Sequence, residues 1–270
     1  MINKPFKALT IKKKDKAFNL SIEPYLITEL KAKQILVKVN YSALNYKDIM
    51  VCEGNPGLVR RYPHIPGIDM SGVVEDSRSD KFQVGDEVVV IARPFGISVN
   101  GGLAKYSIVE DSLVEKLPVG ISQKEAMIVG TSGFTAALCL YKIKSHVNFG
   151  DTEKSILISG ASGAVGLAAT YFFSKSNFDV HALSSKAEAS TLLKRVGALS
   201  TVSIEDFNKN NKFPLQKKNF SYVIDNLGGQ TLPTAASQVQ DNGIVCIVGI
   251  ISSNSSKISL LPFVLRGINF

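Results

Sequence analysis

The sequence predicts an α/β protein in two parts, a β-rich first half followed by a doubly wound parallel sheet. Three observations predict it. Short apolar runs separated by Gly, Pro and Asp turns fill residues 1 to about 120. From Ser155 onward, strand-length and helix-length segments alternate. Between the first such strand and its helix lies a glycine-rich turn at residues 159–166.

In the first half, residues 35–39, 72–74 and 87–91 are apolar runs of strand length. Turns at Gly85-Asp86 and Asn100-Gly101-Gly102 punctuate them. Short strands at this spacing predict a barrel or sandwich. Lys12, Lys13, Lys14 and Lys16 read as a solvated hairpin turn, since no aromatic-rich RNA-binding motif accompanies them. Ser122 and Glu125 then have the spacing of a capping box, which places a domain boundary between 121 and 122. Residues 155–159, 179–183, 221–225 and 244–248 are the strands of the second half. Residues 163–175 and 186–196 read as helices, the second closed by Gly197 in a left-handed conformation. A further helix is expected between the last two strands.

Composition narrows the function classes. A chain of 270 residues with 45% hydrophobic and 20% charged side chains buries a core and is not disordered. The longest apolar runs are of strand length, so no membrane span is expected. The first five residues lack the apolar run of a signal peptide. Three scattered cysteines, with no CxxC or HxxxH pair, suggest neither a disulfide framework nor a zinc cluster. A reducing, cytoplasmic setting is expected. The formal charge of +8 suits an anionic small molecule, with nucleic acid and membrane not expected as partners.

The turn Ser159-Gly160-Ala161-Ser162-Gly163-Ala164-Val165-Gly166 resembles the dinucleotide-binding fingerprint, with Ala161 where the first glycine usually stands. Gly163 is expected to let backbone amides approach a pyrophosphate, and Gly166 to let the helix sit close to the strand. The helix N-terminus adds unpaired N–H groups and partial positive charge. The alternative is a purely structural turn. At the end of the second strand, NAD enzymes need an acidic residue for the ribose hydroxyl. Here Ser184-Ser185-Lys186 stands instead. A lysine and two hydroxyls suit a 2′-phosphate, so NADPH is the expected cofactor. The same residues also read as a helix cap followed by a surface lysine, and the two readings are compatible.

Further segments join the fingerprint in order: Ser42-Ala43-Leu44-Asn45-Tyr46-Lys47-Asp48, Pro66-Gly67-Ile68-Asp69-Met70-Ser71-Gly72, Val84-Gly85-Asp86-Glu87-Val88 and Gly130-Thr131-Ser132-Gly133-Phe134-Thr135-Ala136-Ala137. Together they resemble the zinc-free quinone oxidoreductase branch of the medium-chain dehydrogenase/reductase superfamily. Leu44-Asn45-Tyr46-Lys47-Asp48 and Leu261-Pro262-Phe263-Val264-Leu265-Arg266-Gly267 point to its acryloyl-CoA reductase type. The resemblance implies a GroES-like β-barrel domain, residues 1–121, followed by a Rossmann NADPH-binding domain, residues 122–270, with the active site in the cleft between them. Zinc-dependent relatives carry a cysteine near position 45 and Gly-His-Glu where Gly67-Ile68-Asp69 stands. Isoleucine cannot ligate a metal, so no zinc is expected.

The implied activity is NADPH-dependent hydride transfer to the β-carbon of an activated alkene, such as acryloyl-CoA or a similar enoyl thioester. Quinone reduction and non-catalytic nucleotide binding are the alternatives. The resemblance gives Asn45, Asp48 and Asp69 as a network shaping the pocket, with Tyr46 or a water held by Asp48 as proton donor. Read from the residues alone, Asn45 and Asp48 cap a helix, Tyr46 packs as an aromatic and Asp69 anchors a turn. The resemblance also places Thr131, Gly249 and Ile250 near the nicotinamide, and Arg266 at cofactor, substrate or surface. Arg60 and Arg61 either meet the phosphates of a CoA ester or form a solvated loop. His64, His146 and His181 are expected to be structural. Family members continue beyond the position of Phe270 through another strand, so the second domain is expected to be incomplete at its C-terminus. A homodimer is one expected assembly.

Overall fold

The structure is a computed structural model that describes residues 4–15, 17–27, 29–55, 57–91, 94–146, 154–209 and 213–270. Residues 1–3 and Lys16, the last of the basic run, lie outside the described residues. The chain forms two compact units, Met1–Thr131 and Ser132–Phe270.

In the first unit, β1 (Phe6–Lys14) and β2 (Ala17–Tyr25) form an antiparallel hairpin. Lys12, Lys13 and Lys14 lie on β1 where it enters the turn. The strands β3 (Gln34–Tyr41), β4 (Asp69–Ser77), β5 (Glu87–Ile91), β6 (Tyr106–Glu110) and β7 (Glu115–Lys116) make an antiparallel sheet in the order β6-β3-β4-β5-β7. A short helix, α1 (Tyr46–Cys52), separates β3 from β4. One face of the sheet is filled by Ile35, Val37, Met70, Val74, Val88, Val90 and Phe95. The hairpin covers other sheet residues by packing Phe6 and Ala8 with Leu36, Ile65 and Tyr106. This alternation of buried faces follows from the two-residue period of strands.

Helix α2 (Gln123–Lys144) begins with the expected capping box. The Ser122 N–H and hydroxyl donate to Glu125 at 2.9 and 2.6 Å, and the Glu125 N–H returns a bond to the Ser122 hydroxyl at 3.2 Å. The helix is broken at Gly130, whose φ of 49° and ψ of −162° are non-helical. That break explains why the units divide at Thr131, later than the boundary expected after residue 121. Residues ahead of it belong to the first unit: Ala126 and Met127 pack with Val89, and the Gln123 carbonyl accepts the Ser71 hydroxyl at 2.8 Å. By length and composition α2 passes as a membrane-crossing helix, contrary to the expectation of strand-length runs only. Polar residues such as Thr131, Ser132 and Thr135 hide it from a search for unbroken apolar stretches. Its break and its buried Ala136, Cys139 and Ile143 instead make it a packing element of the core.

In the second unit, β8 (Ser155–Ile158), β9 (Asp179–Ser184), β10 (Ser200–Ser203), β11 (Phe220–Asp225) and β12 (Val239–Ile247) form a parallel sheet in the order β10-β9-β8-β11-β12. Helices α3 (Ala164–Lys175), α4 (Ser190–Val196), α5 (Ile204–Lys209), α6 (Thr231–Ala236) and α7 (Leu261–Arg266) follow in chain order. Successive strands are added outward from β8 to one side, then the chain returns to place β11 on the other. Ligand crevices of open α/β sheets form where the order reverses, here at the C-terminal ends of β8 and β11. The segment expected as a helix over 186–196 starts as a single 3-10 turn and becomes α4 only at Ser190. Gly197 closes it with φ 124°, a positive angle outside the left-handed helical region. Asn269 adds one parallel bridge to β12 at Ile244.

Candidate active site

Two groups of candidate residues are built, one in each unit. In the first, the chain leaves β3, turns at Asn45 and enters α1. Asp48, three residues on, accepts the Asn45 N–H at 2.8 Å and so fixes the start of the helix. Its other carboxylate oxygen accepts the Ile68 N–H at 3.0 Å. Asp48 is buried, and burial pushes its carboxyl up from the ordinary range while the N–H groups of Asn45, Ile68 and Gly67 oppose the rise. The carboxylate is a positioning group that ties α1 to the residue 67–68 loop.

Asp69 opens β4 and is wholly buried. Its Oδ2 accepts the Asn45 amide and the Thr131 N–H, each at 2.8 Å, and its Oδ1 accepts the Thr131 hydroxyl at 2.5 Å. Asn45, Asp69 and Thr131 are therefore one cluster, although the sequence placed Thr131 among the cofactor contacts. Gly130 makes the cluster possible. A Cβ there would lie 2.8 Å from Asp69 Oδ2, and its positive φ is one that side chains rarely adopt. The sequence reading quoted Gly130 within a motif but gave it no role. Tyr46 begins α1 and is 56% exposed, so its hydroxyl is not locked into the cluster by burial. Arg60 and Arg61 are both exposed. A zinc ion does not fit here: Ile68 is a buried apolar side chain, and the Asn45 amide and Asp69 carboxylate are bonded to each other.

The residue 64–68 loop that carries Asp69 is clamped by the 96–103 loop. Gly101 N–H donates to Ile65 O at 2.7 Å, Gly102 N–H to Gly67 O at 2.9 Å and Leu103 N–H to Pro66 O at 3.0 Å. A side chain at Gly101 would strike Gly67 O at 2.2 Å. His64 is buried behind this clamp with Nε2 3.0 Å from Gly96 O.

In the second unit the glycine corner stands as the fingerprint requires. Gly160 turns the chain with φ 59°. Ala161 is buried and donates its N–H to Leu183 O at 2.9 Å, fastening the corner to β9. Gly166 has no room for a side chain: a Cβ would meet Gly160 O at 2.4 Å and Ala161 Cα at 2.5 Å. The Gly163 N–H is taken by Gly160 O at 3.0 Å, so the amides that lack a carbonyl one turn back are those of Ala164, Val165 and Gly166.

Ser184, at the end of β9, donates its hydroxyl to Ser162 Oγ at 3.0 Å and accepts the Lys186 N–H at 3.0 Å. A cavity of about 290 Å³ opens beside them, lined by Ser184, Ser185, Lys186, Ser190, Thr201 and Ser203 among others, with no carboxylate among the described residues of its wall. Thr201 and Ser203 come from β10, an element the sequence reading did not find.

A third feature was also missed. The buried Asp225, at the end of β11, accepts the Ser159 hydroxyl at 2.6 Å and the Gly228 N–H at 2.7 Å, and burial pushes its carboxyl up. Asn226 bonds back to Ser159 through its own amide at 2.7 Å. The Asp225 carbonyl accepts Val248 N–H at 2.8 Å and Gly249 N–H at 3.1 Å. The ends of β8, β11 and β12 are thus fastened together, with Ile250 exposed in the turn that follows. A carboxylate after an apolar strand and before Gly228-Gly229 was the available signal. Arg266 is engaged elsewhere. Its guanidinium donates to the carbonyls of Ser237, Val239 and Gln216 at 3.0, 2.7 and 2.5 Å, which gives it a structural task in place of the expected cofactor contact.

Family models match both halves: an alcohol dehydrogenase GroES-like domain over residues 31–119 and a zinc-binding dehydrogenase domain over residues 164–270. The chain is 34% identical over 264 residues to the putative quinone oxidoreductase YhfP of Bacillus subtilis, covering 98% of this chain and 80% of that protein. It is 32% identical over 266 residues to the acrylyl-CoA reductase AcuI of Ruegeria pomeroyi, with the same coverage of 98% and 80%. Among solved structures, YhfP with NAD bound superposes with TM-score 0.92 at 33% identity, covering 98% of this chain and 80% of that one. The Salmonella enterica yhdH oxidoreductase in complex with NADP gives 0.91 at 31% identity, covering 97% and 80%. The chain belongs to the medium-chain dehydrogenase/reductase superfamily, in the zinc-free branch that holds quinone oxidoreductases and acrylyl-CoA reductases.

Proposed function

We propose that the chain is an NADPH-dependent reductase that transfers hydride to the β-carbon of an activated alkene, with short enoyl thioesters such as acrylyl-CoA as the substrate class. The observation that carries this reading is the cavity at the end of β9, where hydroxyls and Lys186 stand in place of the carboxylate an NAD enzyme needs. The thioester is supported by the similarity to AcuI.

Bound there, NADPH supplies the hydride. The chain's own residues bind, orient and protonate. The amides of Ala164, Val165 and Gly166, at the positive end of α3, hold the pyrophosphate. Lys186, with Ser184 and Ser185, holds the 2′-phosphate. The turn at Gly249 and Ile250, fastened to β11, is the seat for the nicotinamide carboxamide. Asn45, oriented by Asp69, faces the substrate carbonyl oxygen on which negative charge develops. The exposed Tyr46 phenol gives the proton to the α-carbon. Asp48, Asp69 and Thr131 are positioning residues.

Steady-state rates with acrylyl-CoA and with a simple quinone, each under NADPH and NADH, test the reading. Turnover of acrylyl-CoA with NADPH is expected, and activity confined to quinones would overturn the thioester assignment. Quinone reduction is the second reading, favoured by the similarity to YhfP. Calorimetric binding of NADPH without turnover of either substrate would leave a nucleotide-binding protein and no enzyme.

A further inference from the structure

Beyond its break at Gly130, α2 turns one face to the core through Ala136, Cys139 and Ile143, spaced by three and four residues. Strand β12 meets the same cluster with Ile244 and Cys246, and Val248 just beyond it does the same, while Val245 belongs to the cluster on the opposite face of the sheet. Helix period and strand period together bring two cysteines, distant in sequence, face to face. Both side chains belong to that one packed cluster.

The pair is asymmetric. Cys139 is buried, whereas Cys246 is only partly buried on a strand paired to β11 on one side and bridged at Ile244 on the other. The ammonium of Lys142, one turn beyond Cys139, acts on Cys246. The third cysteine, Cys52, belongs to the other unit.

We propose that Cys139 and Cys246 are a modification site, an oxidisable dithiol that a peroxide converts to an intramolecular disulfide. Cys246 is the attacking thiol. Cys139 is buried and Cys246 only partly, so a peroxide meets Cys246 first, and Cys139 with the charge of Lys142 draws its thiol below the usual range against its own burial. The Cys246 sulfur attacks one peroxide oxygen, the O–O bond breaks, and the departing hydroxide takes a proton to become water. Cys246 is then a sulfenic acid. The Cys139 sulfur attacks it, the S–S bond forms, the S–O bond breaks, and a second water leaves with the Cys139 proton. The two sulfurs are oxidised by two electrons in total and the peroxide is reduced to two waters. An external dithiol reverses the change.

The test treats the full chain with hydrogen peroxide and digests it without reductant. The expected product is a Cys139 peptide joined to a Cys246 peptide, two hydrogens lighter than their sum and separated again by dithiothreitol. In Cys139→Ala the Cys246 sulfenic acid has no partner and is trapped by dimedone, at least roughly tenfold faster than Cys52. In Cys246→Ser, Cys139 stays unlabelled. Absence of the joined peptide after both peroxide and diamide treatment of the wild-type chain would overturn the proposal, whether or not the variants fold. Preferential dimedone labelling of Cys139 in Cys246→Ser would overturn the assignment of the attacking thiol.

Discussion

Thr131 gives both of its donors to Asp69, the N–H to Oδ2 at 2.8 Å and the hydroxyl to Oδ1 at 2.5 Å. Asp69 is wholly buried, so its carboxyl oxygens rely on protein donors in place of water, these bonds and the Asn45 amide among them. Asp69→Asn keeps the shape but turns an N–H₂ toward groups that donate. A loss of about 2–4 kcal/mol in unfolding free energy is expected, against about 1–2 for Thr131→Val. Because both changes remove parts of one network, the double variant should fall short of the sum by about 0.5 kcal/mol or more. Urea titrations of the four proteins check this, and strict additivity would contradict a shared network.

The two glycines of the dinucleotide corner are expected to behave differently. A methyl at Gly166 collides with Gly160 O and Ala161 Cα, backbone atoms that cannot swing aside. Gly166→Ala should therefore lower the melting temperature and abolish NADPH binding together. A methyl at Gly163 meets only Gly160 O, at 3.3 Å, and its φ of −79° is ordinary. Gly163→Ala should leave stability within about 0.5 kcal/mol and weaken NADPH alone, because the added methyl stands at the N-cap of α3, next in sequence to the amides proposed to hold the pyrophosphate. Calorimetric titration beside thermal melts separates the cases. Equal behaviour of the two variants would count against that seat.

Lys186 is exposed at the rim of the β9 cavity, whose wall holds no carboxylate among the described residues. Lys186→Ala should reduce the preference for NADPH over NADH by roughly 10- to 150-fold, the equivalent of about 1.5–3 kcal/mol for a charge-assisted bond. The affinity for NADH should hardly move. A ratio unchanged by the substitution would remove Lys186 from the cofactor site.

What the sequence made legible follows a physical division. The parallel strands and the corner at Gly160 to Gly166 were readable because period, turn chemistry and helix start all lie within a short span of chain. The Ser122–Glu125 cap was readable for the same reason. Strand β10 escaped because Ser200-Thr201-Val202-Ser203 is short and mostly polar. The engagement of Arg266 with Ser237, Val239 and Gln216 escaped because its partners are backbone carbonyls, which leave no mark in side-chain identity. For Asp48 and Thr131 the residue type gave no sign of the buried partners that the fold brings to each, because those partners are distant in sequence.

His64 predicts how the protein responds to acid. It is buried, and desolvation holds its imidazole below the usual histidine range while the Gly96 carbonyl pulls the other way. Nε2 must carry the proton to donate to that carbonyl, so the folded state holds the neutral ring in one tautomer. In the unfolded chain His64 titrates near its ordinary value, about 6.5. Its contribution is therefore complete above that pH and is lost as pH falls toward the depressed folded value, because the unfolded state then binds a proton that the folded state refuses. The loss is limited to about 1.4 kcal/mol per pH unit. His181 is depressed too, chiefly by burial, and adds a term of the same sign in the second unit. His64→Gln keeps a donor for Gly96 O and removes the proton. Its unfolding free energy, measured in urea at pH 7.5 and 5.5, should fall less between the two than that of the wild-type protein. Equal falls, or a His64 ring resonance titrating at an ordinary pH, would show that burial does not control this histidine.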